Sequence, residues 1–341
     1  MVLKRIGGVP VGDCVTLTDV QEAAVRLAPV IHRFPLQQSQ TFSRMSNNQV
    51  FLKLENLQKT GAFKIRGAYN KMAKLSPEAR DRGIFSASAG NHAQGVALAA
   101  SRFGAPCTIV MPEGAPEAKI TATQGYGSRV ELAGATYDDA HLHAKRLCRE
   151  QGGTFVHAFD DLDVIAGQGT IALEIAEDLP DVDAVVVPVG GGGLIAGIAA
   201  ALKALRPKTA VYGVQASGAA SMALSLREGR PVTLPGVATV ADGIAVKSPG
   251  ELTFDHVKRF VDDVVTVSDD AILRAMYAFL ERTKMLVEGA GAVGLAALFE
   301  EVLPLRQKKV VLVVSGGNVD IAKLASLHPM DRPSPVGVAK I

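Results

Sequence analysis

The chain's 341 residues are 48% hydrophobic and 21% charged, a globular composition long enough for about two domains and a large core. Lys and Arg number 36 against 34 Asp and Glu, a formal charge of +2, and no basic run is long enough to follow a phosphate backbone, so nucleic acid is not an expected partner. Cys14, Cys107 and Cys148 are far apart, lack metal-ligand spacing and are odd in number, which points to free, buried thiols in a reducing compartment.

At the start of the chain Lys4 and Arg5 are followed by Gly7, Gly8, Pro10 and Asp13, where a secretory signal would be apolar, and a cytoplasmic location is expected. The first segment with chemical content is Thr60-Gly61-Ala62-Phe63-Lys64-Ile65-Arg66-Gly67. A lysine that follows an aromatic and is fenced by glycines suits a Schiff base with an aldehyde, which needs close backbone approach and a partly apolar pocket. Taken alone, the octapeptide does not separate such a lysine from the surface charge that most lysines are.

Further along, Ser86-Ala87-Ser88-Ala89-Gly90-Asn91-His92 joins a strand to a helix. Its donors suit a carboxylate at the helix N-terminus, and Asn91 equally suits a plain helix cap. His92 reads as a structural or hydrogen-bonding residue rather than a general base. β-Branched runs over 107–111, 184–189, 210–214 and 309–314 predict buried parallel strands. Between them, helices are predicted over 93–103, 137–151, 169–177, 194–205 and 269–282.

The stretch from Ala184 to Leu202 runs 19 residues without a charge, yet Pro188 and four glycines would make a poor membrane helix. A strand, a glycine loop and a helix account for all of it. In that loop, Gly190-Gly191-Gly192-Gly193 lets several backbone N–H groups converge on one anion, with the helix N-terminus adding its positive end. The competing reading is a flexible linker. The run has neither the Gly-Lys-Ser/Thr ending of a nucleotide loop nor the G-x-G-x-x-G spacing of a dinucleotide fold, so a single phosphate on a small cofactor fits better.

Glu288 opens a small-residue segment, Glu288-Gly289-Ala290-Gly291-Ala292, and reads either as a site residue or as the first-turn acid of a packing helix. Ser315, in Ser315-Gly316-Gly317-Asn318, follows the strand over 310–314 and belongs at the carboxyl edge of the sheet, where open α/β folds bind ligands. The alternation as a whole predicts an open α/β sheet with helices on both faces, and no local composition marks a domain boundary. The tail bearing Pro329, Pro333 and Pro335 is expected to fray or lie along the surface.

With these segments in view, the chain resembles the fold-type II pyridoxal phosphate enzymes, and more narrowly the short, catabolic threonine dehydratases that lack a regulatory domain. The similarity runs from about Leu17 to Ala325, through 63–68, 88–95, 164–170 and the four glycines. It implies two open α/β domains with mostly parallel sheets: a large cofactor-binding domain of residues 1–53 plus 157–341, and a small domain of residues 54–156 carrying Lys64 and the Ser88–His92 loop. The resemblance makes Lys64 the Schiff-base lysine and catalytic base and Phe63 the residue packed on the pyridine ring. Gly190, Gly191, Gly192, Gly193 and Leu194 would hold the phosphate, Asn91 the ring hydroxyl, and Ser315 with Gly316 the pyridine nitrogen. Gly243 and Glu288 would line the ring, and Ser88, Gly90, Asn91 and His92 would surround the substrate carboxylate.

Two departures qualify the resemblance. Ala62 stands where many relatives have serine, and Gln215 and Ser221 stand near the place where related serine racemases have acidic metal ligands, so no metal is expected. The implied reaction converts L-threonine to 2-oxobutanoate, or L-serine to pyruvate, with release of ammonia. Other β-hydroxy amino acids such as 3-phenylserine and 3-hydroxyaspartate remain alternatives. Serine racemase ranks below them, because Ala89 replaces the serine that would exchange a proton on the opposite face of the substrate. A non-catalytic amino-acid or nucleotide sensor ranks lower still, since a sensor has no use for Lys64. The resemblance further implies a homodimer or homotetramer and activation by AMP or CMP.

Overall fold

The computed structural model describes residues 14–321, so the segment before Cys14 and the proline-bearing tail lie outside the described residues. Ten strands follow in chain order: β1 Gln37–Gln38, β2 Gln49–Leu54, β3 Ile84–Ala87, β4 Cys107–Met111, β5 Arg129–Leu132, β6 Thr154–Phe155, β7 Ala184–Pro188, β8 Ala210–Ala216, β9 Asp263–Val267 and β10 Lys309–Val314. They form a six-stranded sheet, β1-β2-β10-β7-β8-β9, and a four-stranded sheet, β5-β4-β3-β6. Every pairing is parallel except that of β1 with β2.

The large sheet is apolar on both sides because its central strands, β7 and β10, are almost uninterrupted Val and Leu. Val310, Leu312 and Val314 pack on one face with Val186 and Leu52, while Val311 and Val313 pack on the other with Val185 and Val187. Two-residue alternation thus feeds two separate cores. Helices Asp269–Ala278 and Gly289–Phe299 cover the first face, and helices Leu162–Asp178, Gly193–Leu205 and Glu251–Phe260 the second. The small sheet is covered by helices Ile65–Ala73 and Asn91–Arg102 on one side and by helix Tyr137–Glu150 on the other.

One charged cluster is buried among these layers. Arg66 is fully buried and lies in helix Ile65–Ala73. Its guanidinium donates to both oxygens of Glu55, at 2.8 and 2.7 Å, and to Glu174 at 2.6 Å. Glu174 also receives the ammonium of Lys53. The cluster pins the helix that begins one residue after Lys64 against helix Leu162–Asp178, with every charge matched.

Two predicted helices differ from the observed ones. The helix predicted over 169–177 spans Leu162–Asp178, and the one predicted over 269–282 ends at Ala278, where a π-helical turn takes over for Phe279–Thr283. All three cysteines are free; Cys107 and Cys148 are buried, whereas Cys14 is half-buried. Among the described residues, no helix is long and apolar enough to cross a membrane.

Candidate active site

The segments singled out by their residue types follow the carboxyl ends of strands: Ser88 after β3, Gly190 after β7 and Ser315 after β10. Lys64 reaches the same region from the N-cap of helix Ile65–Ala73. Its Nζ donates to the carbonyl of Ala158, three residues beyond β6, at 2.7 Å, and stands 5.2 Å from the centre of the Phe63 ring. Burial of that amine lowers its pKa from 10.5 to about 8, against an upward pull from Glu288. A substantial neutral fraction is therefore present near pH 7 to 8, which ordinary lysines lack.

Phe159, next after the carbonyl that holds Lys64, forms the wall behind the glycine loop. A Cβ on Gly191 would fall 2.4 Å from its ring, so the backbone itself has to be the surface there. Gly192 has φ +99° and caps helix Gly193–Leu205 with no side chain to offer. Elsewhere Thr16, Thr136 and Ser268 satisfy the first N–H groups of their helices. The helix after the glycine loop has no such side-chain cap, which leaves its first donors open to an anion. Thr253 Oγ donates to the Gly191 carbonyl at 2.6 Å and so engages the loop's oxygen, and Leu194 is buried in the first turn.

The lysine segment is tied to the end of β10. Ala62 pairs with Gly316 in an isolated antiparallel bridge, and the Phe63 N–H donates to the Ser315 carbonyl at 3.2 Å. Ser315 is buried. Across from it, the loop after β3 ends at Gly90, which caps helix Asn91–Arg102 without a side-chain bond. Asn91 is thus not a capping residue; its Nδ2 instead donates to Glu288 Oε1 at 2.8 Å. Ser88 Oγ accepts the Gly90 N–H at 3.1 Å.

Glu288 is buried, and burial pushes its carboxyl up to about 7, with the Asn91 bond pulling it back. It is the N-cap residue of helix Gly289–Phe299, makes no side-chain cap, and lies against Gly243, where a Cβ would be 3.0 Å from Oε1. His92 is buried and burial lowers its pKa to about 3, so the ring is neutral. Its Nε2 is 3.1 Å from the Val156 carbonyl and must donate to it. His92 Nδ1 meets no partner. Gln215 spends its amide on Ala219 and Ala223, and Ser221 donates to the Val246 carbonyl at 2.9 Å.

Four contributors are given no role by the sequence: the carbonyl of Ala158, the ring of Phe159, Thr253 under the glycine loop, and Asn318, whose Nδ2 donates to Asn91 Oδ1 at 2.8 Å. All four act on a partner far away along the chain. Asn318 alone sits in a motif the sequence singles out.

The arrangement fits pyridoxal phosphate. A buried amine with a lowered pKa is joined through Ala158 and Phe159 to a glycine-walled helix N-terminus, with a buried serine on the neighbouring strand end. A second helix start without a side-chain cap lies at Gly90. A model of the family of pyridoxal-phosphate dependent enzymes matches residues 27–316. The L-threonine ammonia-lyase of Thermotoga maritima is 54% identical over 307 residues, 90% of this chain and 76% of that protein. Among solved structures, the processed form of threonine deaminase isoform 2 from Solanum lycopersicum is 40% identical with a TM-score of 0.87, covering 95% of this chain and 92% of that one. Maize serine racemase is 38% identical with a TM-score of 0.88, covering 92% and 96%.

Proposed function

The chain belongs to the family of pyridoxal-phosphate-dependent enzymes, and on that premise we propose that it eliminates water from L-threonine and L-serine, giving 2-oxobutanoate or pyruvate and ammonia. The observation that carries this reading is Lys64, an amine lowered to about 8 and held by a single carbonyl beside the anion-binding loop. When bound, pyridoxal phosphate supplies an electron sink for the bond broken at the substrate α-carbon. Lys64 is the covalent anchor for that group and, once freed, takes the α-proton on Nζ. The first N–H groups after Gly192, with Gly190–Gly193 and Leu194, hold the phosphate. Ser315, with Gly316 beside it, would offer the ring nitrogen a neutral hydroxyl rather than a carboxylate, a partner that does not hold a proton on that nitrogen and so favours elimination. Phe63 would pack on the ring and keep water from Lys64, and Gly243 and Glu288 would line the ring's edge.

Ser88, Gly90 and Asn91 would orient the substrate carboxylate at the second helix start, and the Asn91 side chain would also face the ring hydroxyl of the cofactor. His92, neutral and bonded to Val156, supports that loop from beneath. The division into a large domain of residues 1–53 plus 157–341 and a small one of 54–156 is supported by the strands: β3 to β6 make one sheet and the rest the other. A cytoplasmic location, a homodimer or homotetramer, and activation by AMP or CMP complete the proposal. Sedimentation and activity recorded during titration with each nucleotide test the last two, and a flat response in both removes the effector.

Serine racemase is the second reading, favoured by the close match to the maize enzyme's fold. It requires a second proton-exchanging group, and this chain has Ala89 in the loop after β3. The deciding assay follows 2-oxo acid release from L-threonine, L-serine and L-threo-3-phenylserine and, by chiral separation, D-serine. Rapid 2-oxobutanoate without D-serine is expected. Turnover of phenylserine alone would move the substrate, and D-serine alone would make the protein a racemase. Ala89→Ser is expected to introduce measurable D-serine formation on top of elimination.

A further inference from the structure

Around Asn91 runs a closed ring of hydrogen bonds. Asn91 Nδ2 donates to Glu288 Oε1 and its Oδ1 accepts from Asn318 Nδ2, both at 2.8 Å, and the backbone N–H of Asn318 donates to Glu288. The direction of the ring is fixed from outside it. Asn318 Nδ2 also donates to the Thr60 carbonyl at 2.7 Å, and a carbonyl oxygen only accepts, so the amino end of Asn318 has to face that way. The same amino group meets Asn91, which is therefore obliged to present its oxygen to Asn318 and its amino group to Glu288.

Glu288 has little freedom to release Asn91. Its own N–H donates to the Gly316 carbonyl at 3.1 Å, and a Cβ on Gly316 would lie 2.5 Å from Oε1. Glu288 is buried, whereas Asn318 is exposed at the lip of the cleft. With the oxygen engaged on one side and one N–H on the other, the Asn91 amide has a second N–H left to give.

We propose that Asn318 and Glu288 are positioning residues that lock the Asn91 amide so that a donor, not an acceptor, meets the oxygen of a bound ligand. The inference rests on the reading that Asn91 faces the ring oxygen of the cofactor. An amide free to turn would bring its carbonyl end to that oxygen part of the time, and a carbonyl repels an anion where an N–H binds it.

The test compares wild type with Asn318→Asp, Asn318→Ala, Glu288→Ala and Glu288→Gln, each titrated with pyridoxal phosphate while visible absorbance and thermal unfolding of the cofactor-free protein are recorded. Asn318→Asp is nearly isosteric, but its carboxylate offers no proton to Asn91 and forces the amide to turn. It is expected to weaken cofactor binding about tenfold, the worth of one charge-assisted hydrogen bond, and to move the absorption maximum, with the melting temperature unchanged. Asn318→Ala should weaken binding by a similar factor. Glu288→Ala should disturb the spectrum, and Glu288→Gln, which keeps a carbonyl for Asn91, should restore it. Unchanged affinity and spectrum in Asn318→Asp, or a disturbance in Glu288→Ala that Glu288→Gln does not recover, would overturn the proposal. A wild-type protein that takes up no cofactor would overturn the underlying reading of the site as well, which separates the two failures.

Discussion

Lys64 and Glu288 are each held against their ordinary protonation by burial, and the two shifts make opposite predictions for the cofactor-free protein. For Lys64, pushed down to about 8, the folded state binds fewer protons than the unfolded one between about pH 8 and 10.5, so its burial opposes folding at neutral pH and that cost fades as pH rises. Lys64→Ala is accordingly expected to abolish turnover while leaving the melting temperature of the apo protein equal or higher at pH 7; a lower one, together with retained activity, would contradict the assignment. For Glu288, pushed up to about 7, the folded state binds more protons than the unfolded one between about pH 4.5 and 7. Its contribution is favourable at low pH and is lost as pH rises through that window. Asp242, which pushes Glu288 up, and Lys119, which pulls it down, are the charged neighbours that modulate this. Denaturant titrations at pH 5 and pH 7 should show Glu288→Gln flattening the dependence.

Secondary elements differ in how openly their residues announce them. Strand β10 is legible because Val-Val-Leu-Val-Val is buried on both faces and has no other use. Helix Leu162–Asp178 is half legible: Gly167 and Gly169 weaken its propensity, yet a Cβ on Gly167 would stand 2.6 Å from the Arg66 carbonyl and one on Gly169 2.9 Å from that of Gly197. The glycines are there for close helix crossing, and nothing local says so. The site divides the same way. Lys64, the four glycines and Ser315 carry their chemistry in their neighbours along the chain, whereas Ala158 and Phe159 act through a backbone carbonyl and a wall that only folding assembles. The crossing also yields a prediction at this scale. Arg66→Met would leave Glu55 and Glu174 buried with one partner fewer, and a loss of about 3–5 kcal/mol in denaturant unfolding is expected, the cost of stranding a buried charge. A loss under about 1 kcal/mol would mean that water reaches the cluster.

At the scale of the molecule the cleft is spanned by two exposed ion pairs, Lys119–Asp242 at 3.1 Å and Lys247–Asp138 at 3.4 Å, each joining a helix that flanks the small sheet to the segment between Arg230 and Gly250. Exposed pairs contribute at most about 1 kcal/mol to folding, but these two act on the separation of the two sheets. Added salt is expected to raise KM in the wild type, and Asp138→Asn with Asp242→Asn is expected to remove that salt dependence with little change in melting temperature. Equal salt responses would show that the pairs do not hold the cleft. The order of the large sheet has a consequence for synthesis on the ribosome. Strands β2 and β10 are neighbours, with Val310 opposite Val50, so the middle of the sheet stays open until the last strand has emerged. Strand β2 waits with a bare edge through most of translation and β7 from its own synthesis until β10 is made, which calls for chaperone cover on the nascent chain. Ser315 is made directly after β10, so the nascent protein gains its sheet and the last wall of its cofactor site almost together.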